Sequence, residues 1–263
     1  MSEPALLVEE ANGVLTATLN RPAKLNALNA EILSGLWQAV RRYATAPELR
    51  VFLIRATGRY FCAGADLVAG AVAPPEAGTS GVREWYRSAV GPGMLALWEE
   101  MEAIEKPFVV AHQATCVGGG LEMSLSCDFR LAARSASYSF PEAKLGSIPA
   151  TGGVSRLTRL VGQHWAKWMI LAGQPIDAEQ ARAIGLVHAV FDDEAFDVQV
   201  RRFCQDLAAQ PPEVSRMAKL TIDLAENASP GDARKIERLG QSILHVGGEA
   251  EDLLAQMKAR LRR

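Results

Sequence analysis

Over the first two thirds of the chain, short apolar runs alternate with amphipathic stretches, and that alternation restricts the fold to an α/β class. The run Val51–Ala56 (VFLIRA) is the clearest case. It is apolar along most of its length, as a strand covered on both faces of a parallel sheet must be. Ahead of it, Ala5–Glu9 and Val14–Leu19 read as two strands joined by Asn12-Gly13, a pair suited to a tight hairpin turn. Asn29 is placed to cap an amphipathic helix running to about Tyr43. Thr57-Gly58 breaks the chain after Ala56, and Phe61–Leu67 follows as a short apolar run. Residues 82 to about 105 have a helical pattern that Gly91-Pro92-Gly93 should interrupt and Pro107 should stop. Phe108–His112 then reads as a strand, GGGLEMSLSCD as a turn into a helix, and Phe129–Ala133 as another strand.

Beyond Gly152-Gly153 the pattern becomes mainly helical: Val154–Val161, His164–Ala172, Ala178–Ile184, Glu194–Ala209, Glu213–Ala228 and one long stretch to the end. Leu186–Val190 is the only strand candidate there. The division this suggests is a β-rich core over residues 1–200 and a helical region over 201–263. The apolar faces of the final helices (Ile236, Leu239, Ile243, Leu244, Leu253, Leu254, Met257, Leu261) point to self-association.

Bulk properties exclude several classes of function. A chain of 263 residues with 49% hydrophobic and 22% charged residues is globular in composition. Its net charge of −2 offers no footprint for nucleic acid or an anionic membrane. No apolar stretch reaches the roughly 18–20 residues that span a bilayer. The acidic start, MSEPALLVEE, lacks a signal-peptide pattern, so a cytoplasmic location is expected. The cysteines (Cys62, Cys116, Cys127, Cys204) form no CxxC pair and the histidines (His112, His164, His188, His245) no metal-binding spacing. Free buried thiols and no metal are expected.

Three segments carry chemistry. In AHQATCVGGGLEMSLSCD, three glycines precede a helix, whose first N–H groups and positive dipole end suit a developing oxyanion. Tight strand–helix packing explains the same glycines equally well, and Glu122 in the first helical turn compensates the dipole. RYFCAGADL holds a Gly-Ala pair that is either a plain turn or a source of a second donor, the Ala65 N–H. SYSFPEAKLGSIPATGG places Glu142 on a Pro- and Gly-bounded connection 20 positions after Glu122. One strand returns the chain over that interval, and two carboxylates in one pocket push each other's pKa values apart.

Taken in order, these segments resemble the enoyl-CoA hydratase/isomerase (crotonase) family, together with LNRPAKLNALN, LTRLVG and LAGQPIDAEQARAIGLVHAV. The resemblance implies an α/β fold, a crotonase-like spiral of ββα units with a helical C-terminal trimerisation region, assembled as a trimer or dimer of trimers. It implies an oxyanion hole from the Ala65 and Gly119 N–H groups. CoA would run along Lys24, Ala27 and Leu28 and the Ala63, Asp66 and Leu67 turn, with Lys258 or Arg260 as further phosphate partners. CoA enters as part of an acyl-CoA thioester substrate, and no separate cofactor is expected. Glutamates at both Glu122 and Glu142 match the hydratases: Glu122 mainly as base toward water, Glu142 delivering a proton to the α-carbon of a trans-2-enoyl-CoA. Isomerisation, hydrolysis or C–C cleavage within the family is the alternative, and a non-catalytic CoA-thioester binder is an alternative of another class. An RNA-binding role finds no basic patch.

The chain departs from the family pattern in places. HQAT stands where an asparagine–glycine pair is usual, Val68 where a lysine often follows the aspartate, and Ala150-Thr151 where other small residues are common. The Pro- and Gly-rich stretch 70–81 reads as a surface loop or lid. Trp85, Tyr86, Met94 and Trp98 are candidates for the acyl pocket, a helix interface being the alternative.

Overall fold

The structure, a computed structural model, describes residues 3–67 and 93–261. The expectations for Val68, residues 70–81, Trp85, Tyr86 and the helical pattern before Gly93 lie outside the described residues.

Strands β1 (Leu6–Ala11) and β2 (Val14–Leu19) form an antiparallel hairpin. Asn12 and Gly13 at its tip have φ of 51° and 77°, the paired positive values that a two-residue turn requires. Helix α1 (Ala30–Thr45) begins where the Asn29 side chain accepts the Ile32 N–H at 3.0 Å. It buries Ile32, Leu36, Ala39, Val40 and Tyr43 at helical spacing. The Tyr43 ring meets Phe52 and Phe108 edge-on, with centroids 5.4 and 5.2 Å away. Lys106 closes the helix, donating to the Tyr43 and Ala46 carbonyls at 2.7 Å each.

Strands β3 (Val51–Ala56), β5 (Phe108–His112), β7 (Phe129–Ala133) and β10 (Ala189–Phe191) extend the hairpin in parallel, in the order β1-β2-β3-β5-β7-β10. A second sheet holds β4 (Tyr60–Cys62), β6 (Thr115–Val117), β8 (Ser137–Ser139) and β9 (Ile176–Asp177) in that order. The pairs β3/β4, β5/β6 and β7/β8 therefore each give one strand to each sheet. Each circuit climbs one strand position, and the result is the spiral.

The sequence reading marks β4 only loosely and misses β6, β8 and β9. At two or three residues each, they are too short for a period-2 signal. The strand expected at Leu186–Val190 pairs later, because Leu186 and Val187 turn into the core and the ladder to β7 begins at Ala189.

The intervening helices are α2 (Met94–Ala103), which starts after Gly93, and α3 (Gly119–Leu125), buried throughout. Helix α4 (Gly153–Ala166) is broken at Gly162 and passes into a wide turn at Lys167–Leu171. Helix α5 (Ala178–Ala183) carries a reciprocal cap between Asp177 and Gln180. Helix α6 (Asp193–Ala208) runs across the division expected at 200/201. It lays Phe196, Val200, Cys204 and Ala208 on Val51, Val109 and Leu131 of the larger sheet.

Helices α7 (Pro212–Glu226), α8 (Pro230–Val246) and α9 (Glu249–Leu261) follow. The single final stretch read from sequence is thus two helices, parted at Gly247-Gly248, where Gly248 has φ of 79°. Leu220, Leu239, Ile243, Leu254 and Met257 on these helices are exposed within one chain.

Candidate active site

The two glycine turns meet. Leu28 forms an isolated parallel bridge with Ala65: its N–H donates to Gly64 O at 2.8 Å, and its carbonyl accepts from Asp66 N at 2.9 Å. That pairing uses the peptide groups on either side of Ala65 and leaves the Ala65 N–H without an acceptor among the described residues. Across from it, Gly118 donates to Ser139 O on β8 and its carbonyl takes the Leu121 and Glu122 N–H groups, starting α3. Gly119, at the first helical position, has no acceptor among the described residues either. A β-carbon at Gly64 would stand 3.3 Å from the Gly119 nitrogen, and one at Gly119 would stand 3.4 Å from the Ala65 nitrogen. Two unused donors therefore sit on touching backbones at the N-terminus of a buried helix.

Packing and donor geometry both account for the glycines, at different positions. A β-carbon at Gly120 would fall 2.6 Å from the Cys62 β-carbon, so that glycine is required for α3 to lie on β4. Gly118, with φ of 53° and ψ of −125°, takes a conformation that other residues rarely adopt, and a β-carbon there would collide with Glu142 Oε1 at 2.7 Å.

Behind the turn, Ser124 donates to the Gly120 carbonyl at 2.8 Å and lies 2.9 Å from His112 Nε2. The Ser124 proton is committed, so Nε2 carries the His112 proton and Nδ1 accepts from the Tyr138 hydroxyl at 3.2 Å. Burial pushes His112 down to about 3, which keeps this link neutral. The HQAT departure thus supplies a buried strut beneath the glycine turn.

The carboxylates differ in surroundings. Glu122, 4% exposed in α3, accepts the Thr151 N–H at 2.7 Å and the Gly153 N–H at 3.1 Å on a single oxygen, Oε1. Burial raises its pKa, and the Thr151 and Gly153 donors and the Arg156 charge oppose that rise. Glu142 opens the short 3-10 turn Glu142–Leu145, and its Oε2 is buried without a hydrogen-bond partner among the described residues. Burial pushes its carboxyl up to about 7, and the Glu122 charge adds to the rise. One carboxylate is thus held by two donors and the other inclines to keep its proton.

The segment expected to run along CoA is built around Arg21, to which the sequence reading assigns no role. The Arg21 Nη1 donates to Asp66 Oδ2 at 3.0 Å and to the Ala27 carbonyl at 2.7 Å. Arg21 thereby ties the Lys24–Leu28 segment to the Ala63–Leu67 turn. The buried Asn26, with φ of 53°, takes the Arg21 N–H and donates to the Thr57 and Tyr60 carbonyls. Asp66 is buried, and Leu28 is wholly buried with both peptide groups paired, so these two support the turns. Lys24 is exposed at the end of the turn Pro22–Lys24, Ala27 and Ala63 are half-buried, and Leu67 is 60% exposed. Lys258 is exposed on α9, and the side chain of Arg260 lies outside the described residues.

Met94, at the start of α2, brings its sulfur to 3.7 Å from the β-carbon position of Gly119, beside the donors. Trp98, one turn on, is buried in the core. No helix among the described residues is long and apolar enough to cross a membrane.

A family model described as enoyl-CoA hydratase/isomerase matches residues 9–240. A probable enoyl-CoA hydratase of Mycobacterium tuberculosis is 30% identical over 259 residues, covering 98% of this chain and 95% of that protein. The 2,3-dehydroadipyl-CoA hydratase of Escherichia coli is 35% identical over 222 residues, 84% and 82% of the two chains. The crystal structure of an enoyl-CoA hydratase from Bacillus anthracis superposes with a TM-score of 0.86 at 29% identity, over 97% of this chain and 96% of the other. With its crotonase-fold spiral and a match running through both glycine turns and both glutamates, this chain belongs to the enoyl-CoA hydratase/isomerase family.

Proposed function

We propose that this protein is an enoyl-CoA hydratase, adding water across the double bond of a trans-2-enoyl-CoA to give a 3-hydroxyacyl-CoA. The observation that carries the reading is the contrast between Glu122, held by two N–H donors, and Glu142, raised to about 7 and without a partner at Oε2 among the described residues, beside the Ala65 and Gly119 N–H groups, which find no acceptor among those residues. The thioester oxygen takes both N–H bonds, which draws electron density from the alkene toward the carbonyl. Glu122 removes a proton from water as its oxygen bonds to the β-carbon, and the Glu142 carboxyl gives its proton to the α-carbon. The hydroxyl comes from the water and the α-proton from Glu142, so the two carboxyls exchange their protonation states, which a proton transfer through solvent restores. Because the two sites interact, their titration belongs to the pair.

Lys24, Ala27, Ala63 and Leu67 supply the accessible surface along which CoA lies, with Arg21, Leu28 and Asp66 holding it in shape. The apolar faces of α7–α9 call for a second copy of the chain, which supports a homo-oligomer.

Δ3-Δ2 isomerisation is the second reading, favoured by one feature. A single carboxyl near 7 with one oxygen that has no partner among the described residues is suited to taking a proton from one carbon and returning it to another. A panel of 2- and 3-enoyl-CoA thioesters followed by mass spectrometry separates the outcomes. Hydration adds the mass of one water, isomerisation changes retention without changing mass, and hydrolysis releases free CoA. Background hydration of short and medium trans-2-enoyl-CoA by assembled protein rejects the hydratase reading.

A further inference from the structure

The N–H groups that hold Glu122 are themselves held by an ion pair that reaches the site from another helix. Arg156, in the first turn of α4 and buried, donates Nη1 to the Thr151 carbonyl at 3.0 Å. Its Nε and Nη2 take the two Glu102 oxygens, near the end of α2, at 2.6 and 2.5 Å. Its own N–H bonds to the Gly152 carbonyl at 3.0 Å. The guanidinium lies where a β-carbon of Gly152 would be: that atom would stand 1.7 Å from Nη1, and Gly152 has φ of 93°. At the neighbouring Gly153, a β-carbon would stand 2.9 Å from both Glu122 Cγ and Oε1. The Thr-Gly-Gly turn is thus compressed between a cation on one side and a carboxylate on the other. Only residues without side-chain bulk at 152 and 153 allow both to approach.

We propose that Arg156, oriented by Glu102, is a positioning residue that presses the Thr151 and Gly153 N–H groups onto Glu122 and keeps that carboxylate ionised as the base. The bidentate geometry fixes the guanidinium plane, which a point-charge lysine does not reproduce. Among the described residues, few charged groups face Glu122 from the packed elements. Helix α4 brings Arg156 and the Glu142 turn brings a second carboxyl, while the thiols of β4 and β6, which burial keeps protonated, lie on the other side of α3, Cys62 against Gly120 and Cys116 against Ser124. Arg156 is the cation among them, and its charge opposes the rise that burial imposes on Glu122. The pair also connects the two ends of α2 to the site, since Met94 at its start lies beside Gly119 and Glu102 near its end holds Arg156.

The role as a positioning residue rests on the hydratase reading, whereas the effect on Glu122 does not, and the test separates them. The Glu122 carboxyl is titrated directly by infrared difference spectroscopy on ¹³C-glutamate-labelled protein, with Glu122→Gln used for assignment. In Arg156→Gln the Glu122 midpoint should rise by at least roughly half a pH unit. Arg156→Lys should return it toward the wild-type value, and Glu102→Gln should move it by a smaller amount in the same direction. For the hydration reaction, kcat in Arg156→Gln should fall about tenfold or more with KM within about threefold of wild type. The acid limb of its pH profile should move up while the alkaline limb, set by Glu142, stays. Arg156→Lys should recover the limb but only part of kcat. An unmoved Glu122 midpoint in folded Arg156→Gln overturns the proposal. Should that variant not fold, an unmoved midpoint in Glu102→Gln, whose carboxylate is partly solvated, does the same. A moving midpoint in a protein whose wild type hydrates no enoyl-CoA leaves the electrostatic coupling standing and rejects the hydratase assignment.

Discussion

A β-carbon on Gly119 would stand 3.4 Å from the Ala65 nitrogen, so the two turns touch through backbone alone and leave both N–H groups without an acceptor among the described residues. Gly119 has an ordinary helical conformation, unlike Gly118. The consequence of adding a methyl group therefore falls on the site before it falls on the fold.

Gly119→Ala should fold and assemble normally, with its methyl group at ordinary contact distance from Ala65 and 3.7 Å from the Met94 sulfur. That methyl crowds the space a thioester oxygen needs, and kcat for hydration should drop about a hundredfold, the scale of losing one oxyanion donor. Steady-state kinetics beside a thermal melt checks the pair of outcomes. Wild-type turnover in this variant means the carbonyl binds elsewhere.

Glu122→Gln retains an oxygen for the Thr151 and Gly153 N–H groups, so the cradle survives while the base is lost. Glu142→Gln removes the proton donor with almost no change of shape. Each should lower kcat by about 10²- to 10⁴-fold, and the melting temperature of Glu122→Gln should stay near wild type. Turnover that is unchanged in both variants removes these residues from the mechanism.

The pH dependence of stability follows from Glu142. Its carboxyl is raised from 4.5 to about 7 on folding, so the folded chain binds this proton more tightly than the unfolded one. The stabilisation is fully present below 4.5 and is lost as the pH rises through 7. Glu142→Gln should flatten the melting curve over that window and, at about pH 8, melt above wild type, where the buried charge no longer has to be accommodated. Hydration by the wild type should decline above about pH 7 as the donor loses its proton. Melts and rates taken across the same buffers test both, and a variant that tracks the wild-type slope contradicts the assignment.

Arg21→Met severs the link between the Ala27 carbonyl and Asp66, and with it the register of the two turns proposed to carry CoA. KM for an acyl-CoA should rise about fivefold to tenfold with a smaller change in kcat, since the interaction supports binding equally in ground and transition states. The loss of a partly buried charged pair should cost about 1–2 kcal/mol of stability. A denaturant titration and a KM measurement check the two effects, and an unchanged KM separates this clamp from CoA binding.

Much of the fold was legible from residues whose signal is local. Val51–Ala56, Phe108–His112 and Phe129–Ala133 are long enough and apolar enough to declare buried parallel strands. Asn12-Gly13 and Asn29 mark a turn and a cap through their own backbone and side-chain chemistry. Thr115–Val117, Ser137–Ser139 and Ile176–Asp177 could not be read this way, because two or three residues make no period and become strands only when a neighbour pairs with them. The break at Gly247-Gly248 was hidden because the apolar pattern continues on both sides of it.

The sequence by itself determined the α/β class, the positions of the two glycine turns and the presence of Glu122 and Glu142 at family spacing. These depend on residue types within short windows. Tertiary structure alone decided that Ala65 and Gly119 touch, that Arg21 joins the turns, and that Arg156, paired with Glu102, bonds the Thr151 carbonyl beside Glu122. It also decided that Glu142, without a partner at Oε2 among the described residues, is pushed by burial to about 7 while Glu122 gains two donors. Each of those is a contact or a solvent environment set by residues tens of positions apart, and such distances exist only once the spiral has closed.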